Sequence, residues 1–164
     1  GDRASRLGTV VMVNGGFVSG QSKKLVRVQI SSTGAELHAL SACAHEMVAM
    51  RNQLKELGYN VGAASVLHGD NTASIAAAKC PGKHRSQLRH LELHAFAIRS
   101  LVREEHVRLA WVDTKSNPSD LLTKAVDKAT FDKFAAVILG GTDAPVATLV
   151  ASVLSCLVTR RATS

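Results

Sequence analysis

Ser31-Ser32-Thr33-Gly34-Ala35-Glu36-Leu37 separates a segment that alternates from one that repeats at helical spacing, and its reading decides the fold. Upstream, Leu25-Val26-Arg27-Val28-Gln29-Ile30 alternates apolar and polar residues, the period of a half-buried strand. Downstream, Leu37, Leu40, Ala44, Met47, Val48, Leu54 and Leu57 recur along one helical face, and Gly58 is a stop signal. Ser32 or Thr33 can cap the orphan amides of the first turn. The spacing predicts a long core helix from about Thr33 to Leu57, with Glu36 in its first turn beside a strand end. A carboxylate there is either a helix-dipole partner or a metal ligand, and on its own the dipole reading is the simpler.

A chain of 164 residues is long enough for one domain with a real core and short for two. Aromatic content is only 4%, so packing falls to Leu, Val, Ile and Ala. The formal charge of +7 points to a polyanionic partner, nucleic acid before membrane, although charge alone also fits a merely basic protein. Cys43, Cys80 and Cys156 form no C-x-x-C pair, which predicts free thiols in a reducing, intracellular compartment (cytoplasmic or nuclear) rather than a disulfide or zinc framework. No secretion signal is visible, and the opening Gly1-Asp2-Arg3 reads as part of something longer.

Along the chain, Leu7 to Val13 is an apolar run, Asn14-Gly15-Gly16 a tight turn and Phe17-Val18-Ser19 a short returning strand. Gln21-Ser22-Lys23-Lys24 reads as a polar break before the strand Leu25 to Ile30. After the long helix, Val61 to His68 is a short apolar segment that ends at Asp70, and Thr72 to Lys79 is a small-residue helix stopped by Cys80-Pro81-Gly82. Ligands of open α/β sheets gather at such carboxyl ends of buried strands. Ser86 can cap a further helix with Leu88, Leu91, Ala95, Ile98 and Val102 on one face. Val107 to Val112 alternates as a strand, Asp113 to Pro118 is a loop, Ser119-Asp120-Leu121-Leu122 begins another helix, and Phe131 and Phe134 sit on a last one. This order predicts an α/β domain over residues 1–135, a mixed sheet with helices on its faces. Residues 136–164 stand apart as an apolar extension of unknown role: a surface helix, a partner-binding segment or a disordered tail, too short and interrupted to span a membrane.

Glu36, Asp70 and Asp120 each neighbour a strand end and open a helix. Neighbouring strands would bring the three carboxylates to one sheet edge, where hard oxygen ligands attract Mg²⁺ or Mn²⁺ and like charges need a cation to coexist. Two such ions about 4 Å apart activate water and stabilise the leaving oxygen of a phosphodiester. Spacing alone favours three separate helix-start acids. His90 and His94 lie four apart but lack the His-Glu pattern of a metal helix. His38 and His45 read as surface residues, Trp111 as sheet-face packing, and Asp113 as either a strand end or a minor metal ligand.

Ser31-Ser32-Thr33-x-Ala35-Glu36-Leu37, Asp70-Asn71-x-Ala73-Ser74-Ile75, Arg89-His90-Leu91-Glu92-Leu93, Trp111-Val112-x-Thr114 and Asn117-Pro118-Ser119-Asp120-Leu121-Leu122-Thr123-Lys124 occur in one order. Together they resemble the ribonuclease H domain at the end of copia-type retrotransposon Pol polyproteins. Gly15-Gly16-Phe17-Val18-Ser19-x-x-Ser22-Lys23-Lys24 resembles the family's segment ahead of its Ser-Ser-Thr helix, and the likeness covers roughly Arg3 to Phe134.

The resemblance implies an RNase H-like fold and an endonuclease that hydrolyses the RNA strand of RNA–DNA hybrids with Mg²⁺ or Mn²⁺. Its catalytic and metal-binding acids would fall on Glu36, Asp70 and Asp120. Lys83, His84, Arg85, Arg89, His90, Arg99 and Arg103 would hold the hybrid's phosphates, which carry affinity but little sequence preference. A reverse-transcriptase region upstream in the same polyprotein would be a second partner, and no membrane is expected. The family's first aspartate lies on a strand upstream of the part matching Arg3 to Gly8, and Asp2 matches the loop that follows it. The resemblance therefore implies a sheet lacking its first strand, a gap between that strand's neighbours, an incomplete two-metal site, and weak or no cleavage. Gly34 stands where the family usually has a glutamate before Ala-Glu, a tolerable change because the second glutamate is the ligand. The competing reading is a non-catalytic nucleic-acid-binding or structural remnant of such a polyprotein.

Overall fold

The computed structural model describes residues 6–24, 32–79, 89–139 and 154–161; of 32, 89–91 and 154–161 it describes the backbone alone. The elements are β1 (Arg6–Val13), β2 (Gly16–Lys24), α1 (Ser32–Glu56), β3 (Ser65–Gly69), α2 (Thr72–Lys79), α3 (Arg89–Arg103), β4 (Val107–Trp111), α4 (Lys128–Ile138) and β5 (Leu154–Arg161). Two short 3₁₀ turns, Thr114–Ser116 and Pro118–Leu122, join β4 to α4. The strands form one mixed sheet of five in the order β2-β1-β5-β3-β4. The architecture is therefore α/β, as the alternation of elements predicts.

The β1–β2 hairpin turns at Asn14 (φ 47°) and Gly15 (φ 84°), two left-handed residues that match the twist of the flanking strands. β2 continues through Gln21-Ser22-Lys23-Lys24, which pair with Thr9, Gly8, Leu7 and Arg6. The expected polar break is thus part of the strand. β2 is a sheet edge exposed along most of its length, and there hydrophilic residues suit a strand. The expected strand over Leu25 to Ile30 lies outside the described residues.

α1 ends as its glycine signals. Gly58 (φ 85°) donates its N–H to the Lys55 carbonyl and Tyr59 donates to that of Leu54, closing the last turn. Arg51, buried on α1, then ties the helix to the chain leading into β3, donating to the Ala63 carbonyl at 2.9 Å and to Ser65 Oγ at 2.8 Å.

Alternation along β1 divides the core. Leu7 and Val11 join Leu37, Leu40, Ala44 and Met47 of α1, together with residues of α2 and α3, on one face of the sheet. Val10 and Met12 pack on the other face with Val137 of α4 and Leu122. The turn Pro118–Leu122 lies on this second face directly over Gly8. A Cβ at Gly8 would stand 2.6 Å from the Ser119 carbonyl oxygen, so only glycine permits that approach. Asp120 sits on this five-residue 3₁₀ turn, begun by Pro118 and capped by Asn117, where the sequence suggested a new helix.

The resemblance implies a gap beside β1, and the structure has β5 there. Leu154–Arg161, from the segment set apart as an extension, pairs antiparallel with β1 along its whole length and parallel with β3 from Val66 to Gly69. Its β-branched and alternating sequence, Leu-Ser-Cys-Leu-Val-Thr, suits a central strand better than a surface helix. α1 packs across it. Cys43, buried on α1, is disulfide-bonded, contrary to the free thiol expected from the cysteine spacing. No helix among the described residues is long and apolar enough to cross a membrane.

Leu157 lies mid-strand in β5, paired with Val10 on one side and His68 on the other. Leu157→Pro removes a backbone donor from the sheet centre and is expected to lower unfolding free energy by at least about 1–3 kcal/mol. Val18→Pro falls at the β2 irregularity, where Met12 pairs with Phe17 and Val11 with Ser19, and should change stability far less. Urea unfolding followed by circular dichroism measures both. Equal midpoints for wild type and Leu157→Pro would place β5 outside the sheet.

Candidate functional site

The strand directions give one edge of the sheet its chemistry. β3, β4 and β5 run parallel, and β1 runs against β5, so the carboxyl ends of the first three meet the amino end of β1. Asp70 follows β3 at that edge. Its neighbour Asn71 opens α2, its Oδ1 accepting from the N–H groups of Ala73 and Ser74 at 2.9 and 3.2 Å.

Glu36 comes to the same place from α1. It lies in the second turn of the helix, which begins at Ser32, so the dipole-partner reading does not describe it. Its side chain is buried and hydrogen-bonds to Asp70 and Asn71, while its Oε1 is buried with no hydrogen-bond partner. Burial first, and then the neighbouring Asp70 charge, push the Glu36 carboxyl from 4.5 up to about 8; hydrogen bonds from Asn71 oppose the shift. At neutral pH Glu36 therefore keeps its proton beside Asp70.

β4 frames the pair. Val112 N–H donates to the Gly69 carbonyl at 3.0 Å, Trp111 Nε1 donates to the Asp70 carbonyl at 3.2 Å, and Thr114 Oγ1 reaches Asp70 Oδ2 at 3.5 Å. Trp111 is 54% exposed, not packed on the sheet as its alternation with Val112 suggests. It is the last residue of an edge strand, beyond the helices that cover Val107 and Leu109.

Asp120 arrives from the opposite face. It is buried, and its Oδ2 is ion-paired with Lys124 one turn on. Both line an open groove of about 580 Å³ with Thr114, Lys115 and Lys133. Thr114 is thus common to the Asp70 hydrogen bond and the Asp120 groove. Among the described residues no three His, Cys, Asp or Glu side chains stand close enough to hold a metal ion together. The structure joins Glu36 to Asp70 and sets Asp120 apart with its own lysine.

The basic residues divide likewise. Lys83, His84 and Arg85 lie outside the described residues, and of Arg89 and His90 only the backbone is described. Arg99 donates to the Ala77 carbonyl at 3.2 Å and so fastens α3 to the end of α2; Arg103 donates to Ser100 Oγ at 3.3 Å. His94 stacks on His38, ring centroids 4.7 Å apart, joining α3 to α1. Asp113 caps the 3₁₀ turn Thr114–Ser116 by accepting from Lys115 N–H. Sequence reasoning missed Asn71, Trp111, Thr114 and Lys124 as neighbours of the acids, although each lies inside a quoted motif.

No protein-family model matches the chain, and no solved structure matches it. The chain is similar to the retrovirus-related Pol polyprotein from transposon TNT 1-94 of Nicotiana tabacum, 30% identical over 131 residues, which is 80% of this chain and 10% of that protein. It is also similar to the transposon Ty1-DR5 and Ty1-H Gag-Pol polyproteins of Saccharomyces cerevisiae, 27% identical over 130 residues, 77% of this chain and 7% of each of theirs. The chain thus spans a tenth or less of the curated relatives it matches, and it is homologous to a segment of retrotransposon Pol polyproteins.

The proton held on Glu36 makes a pH prediction. Between about 4.5 and about 8 the native state keeps a proton on Glu36 that the unfolded chain has released, so stability falls as pH rises through that window. The slope is up to about 1.4 kcal/mol per pH unit. Glu36→Gln is expected to match wild type near pH 4 and to exceed it by at least roughly 1 kcal/mol at pH 8. Urea titrations across the window test this; a constant difference between the two proteins would refute it.

Proposed function

We propose that the chain is a ribonuclease H-type segment of a retrotransposon Pol polyprotein, binding RNA–DNA hybrids and hydrolysing their RNA strand weakly at the carboxyl edge of its sheet. The observation that carries this reading is the Glu36–Asp70 pair: two acids distant in sequence, one of them buried with an oxygen lacking any partner. Such a pair fits a divalent cation, whose charge would replace the Glu36 proton and stabilise both carboxylates. Bound Mg²⁺ or Mn²⁺ would supply an activated water and charge stabilisation at the scissile phosphate. Glu36 and Asp70 would be its ligands. Asn71, donating to Glu36, and Thr114, donating to Asp70, would hold the carboxylates in place.

Asp120 would join by exchanging Lys124 for the cation, and this requirement accounts for weak activity. The lysine side chain is 31% exposed, whereas the aspartate side chain is 6% exposed and needs a compensating charge. Backbone phosphates would be held by basic side chains including Arg103 and those of the Lys83–His90 stretch, without sequence preference. The flanking reverse-transcriptase region of the polyprotein would be the partner that presents the hybrid.

The Asp120–Lys124 pair and the lack of a three-acid cluster among the described residues favour a second reading, a non-catalytic nucleic-acid-binding remnant. Incubation of a labelled hybrid with Mg²⁺ or Mn²⁺ separates the two. The nuclease reading expects slow RNA-strand cleavage that falls at least tenfold in Asp70→Asn. Equal rates in wild type and variant would remove the acid pair from the chemistry. Hybrid binding that weakens steeply with salt, with no metal-dependent cleavage, would favour the remnant.

A further inference from the structure

We propose that Trp111 is a stacking platform for an unpaired base of the bound nucleic acid, set beside the acid pair. This inference rests on the nuclease or nucleic-acid-binding reading above and assigns a specific contact within it.

Three observations carry it. The ring is 54% exposed although indole is among the most profitable side chains to bury, and its strand neighbour Val112 is fully buried. Its one polar atom is already satisfied, since Nε1 donates to the Asp70 carbonyl at 3.2 Å. The strand beneath it is pinned by the Val112 N–H bond to Gly69. The indole is thus held by its polar edge while much of its apolar surface meets water. That hydrogen bond fixes the ring's polar edge but leaves its apolar surface uncovered, and a planar apolar partner would cover it.

The surroundings say which planar partner. The tether runs to the residue whose carboxylate is proposed to act on a phosphodiester, so a nucleotide chain bound there passes the ring. Lys115, exposed on the 3₁₀ turn that follows β4, is suited to the phosphates of a chain whose base lies on the indole. Bases inside a duplex are stacked on each other. The occupant is therefore a base in a single-stranded portion flanking the hybrid. Stacking on an aromatic face tolerates every base, in keeping with a protein that reads no sequence.

Trp111 is the only tryptophan in the chain, so its emission reports on this site alone. The full chain is titrated with fluorescein-free hybrids, blunt or carrying a single-stranded overhang, while binding is followed independently by the anisotropy of matched labelled hybrids. The overhang substrate is expected to quench Trp111 emission in step with binding and the blunt one to quench it much less. Trp111→Ala should weaken overhang binding roughly tenfold, and Trp111→Phe should restore most of it. Circular dichroism confirms that both variants fold. Binding by anisotropy with unchanged emission, or unchanged overhang affinity in Trp111→Ala, overturns the platform while leaving the nucleic-acid reading intact. Absence of any binding by anisotropy overturns both.

Discussion

The sheet depends on the backbone ladder that β5 makes on both of its sides. β2 and β1 form one antiparallel hairpin, and β3 and β4 form one parallel pair; among the described strands only β5 hydrogen-bonds to both. Every amide and carbonyl along β1 and β3 that faces it would otherwise be a polar group left inside the protein, at about 1–3 kcal/mol apiece. α1 and β3 bring Glu36 to Asp70, while β5 holds β1, and with it the turn over Gly8 that carries Asp120, in register with them. A strand remote in sequence therefore decides whether the third acid is held at the same sheet as the pair.

The acid pair shows what that assembly asks of the fold. Glu36 is packed against Asp70 at a point where burial disfavours charge, and the result is a carboxyl held neutral well above its ordinary range. Stability alone would select an amide or an apolar residue at position 36. A glutamate with an unpartnered buried oxygen is the opposite choice, and strain of this kind collects where function rather than packing sets the residue. Arg51, further along α1, is buried as well and its Nε also lacks a hydrogen-bond partner, but its terminal NH groups donate to two backbone carbonyls and a hydroxyl and so hold α1 to the chain entering β3.

What was legible in the sequence was local. Asn14-Gly15 fixed the hairpin, Gly58 the end of α1, Thr72 to Lys79 the limits of α2, and Pro118 the turn that carries Asp120. Each is a signal between residues a few positions apart. The missed features are non-local or compositional. The polar end of β2 reads as a loop until its edge position is known, and Leu154–Arg161 reads as an apolar tail until the vacancy beside β1 gives it a partner. For the site, the motifs named Glu36, Asp70 and Asp120 but could not say that α1 delivers the first to one face and that Gly8 admits the third on the other. The nearest cation to Asp120 was inside its own motif, at Lys124, and only the tight 3₁₀ geometry turns that spacing into an ion pair.

That opposition of faces is the remaining constraint on any chemistry at this edge. Asp70 stands at the end of the sheet, half-buried, whereas Glu36 is bound to the α1 face and Asp120 to the face of α4. Thr114 is the link between them, donating to Asp70 while lining the Asp120 groove. Asp120 is buried, so its charge must stay compensated, and a cation that takes the place of the half-buried Lys124 ammonium compensates it without moving a helix. The side-chain exchange is therefore the cheapest route by which the two faces can act together. It requires no rearrangement of β1, whose close approach to the turn at Gly8 leaves no room for one.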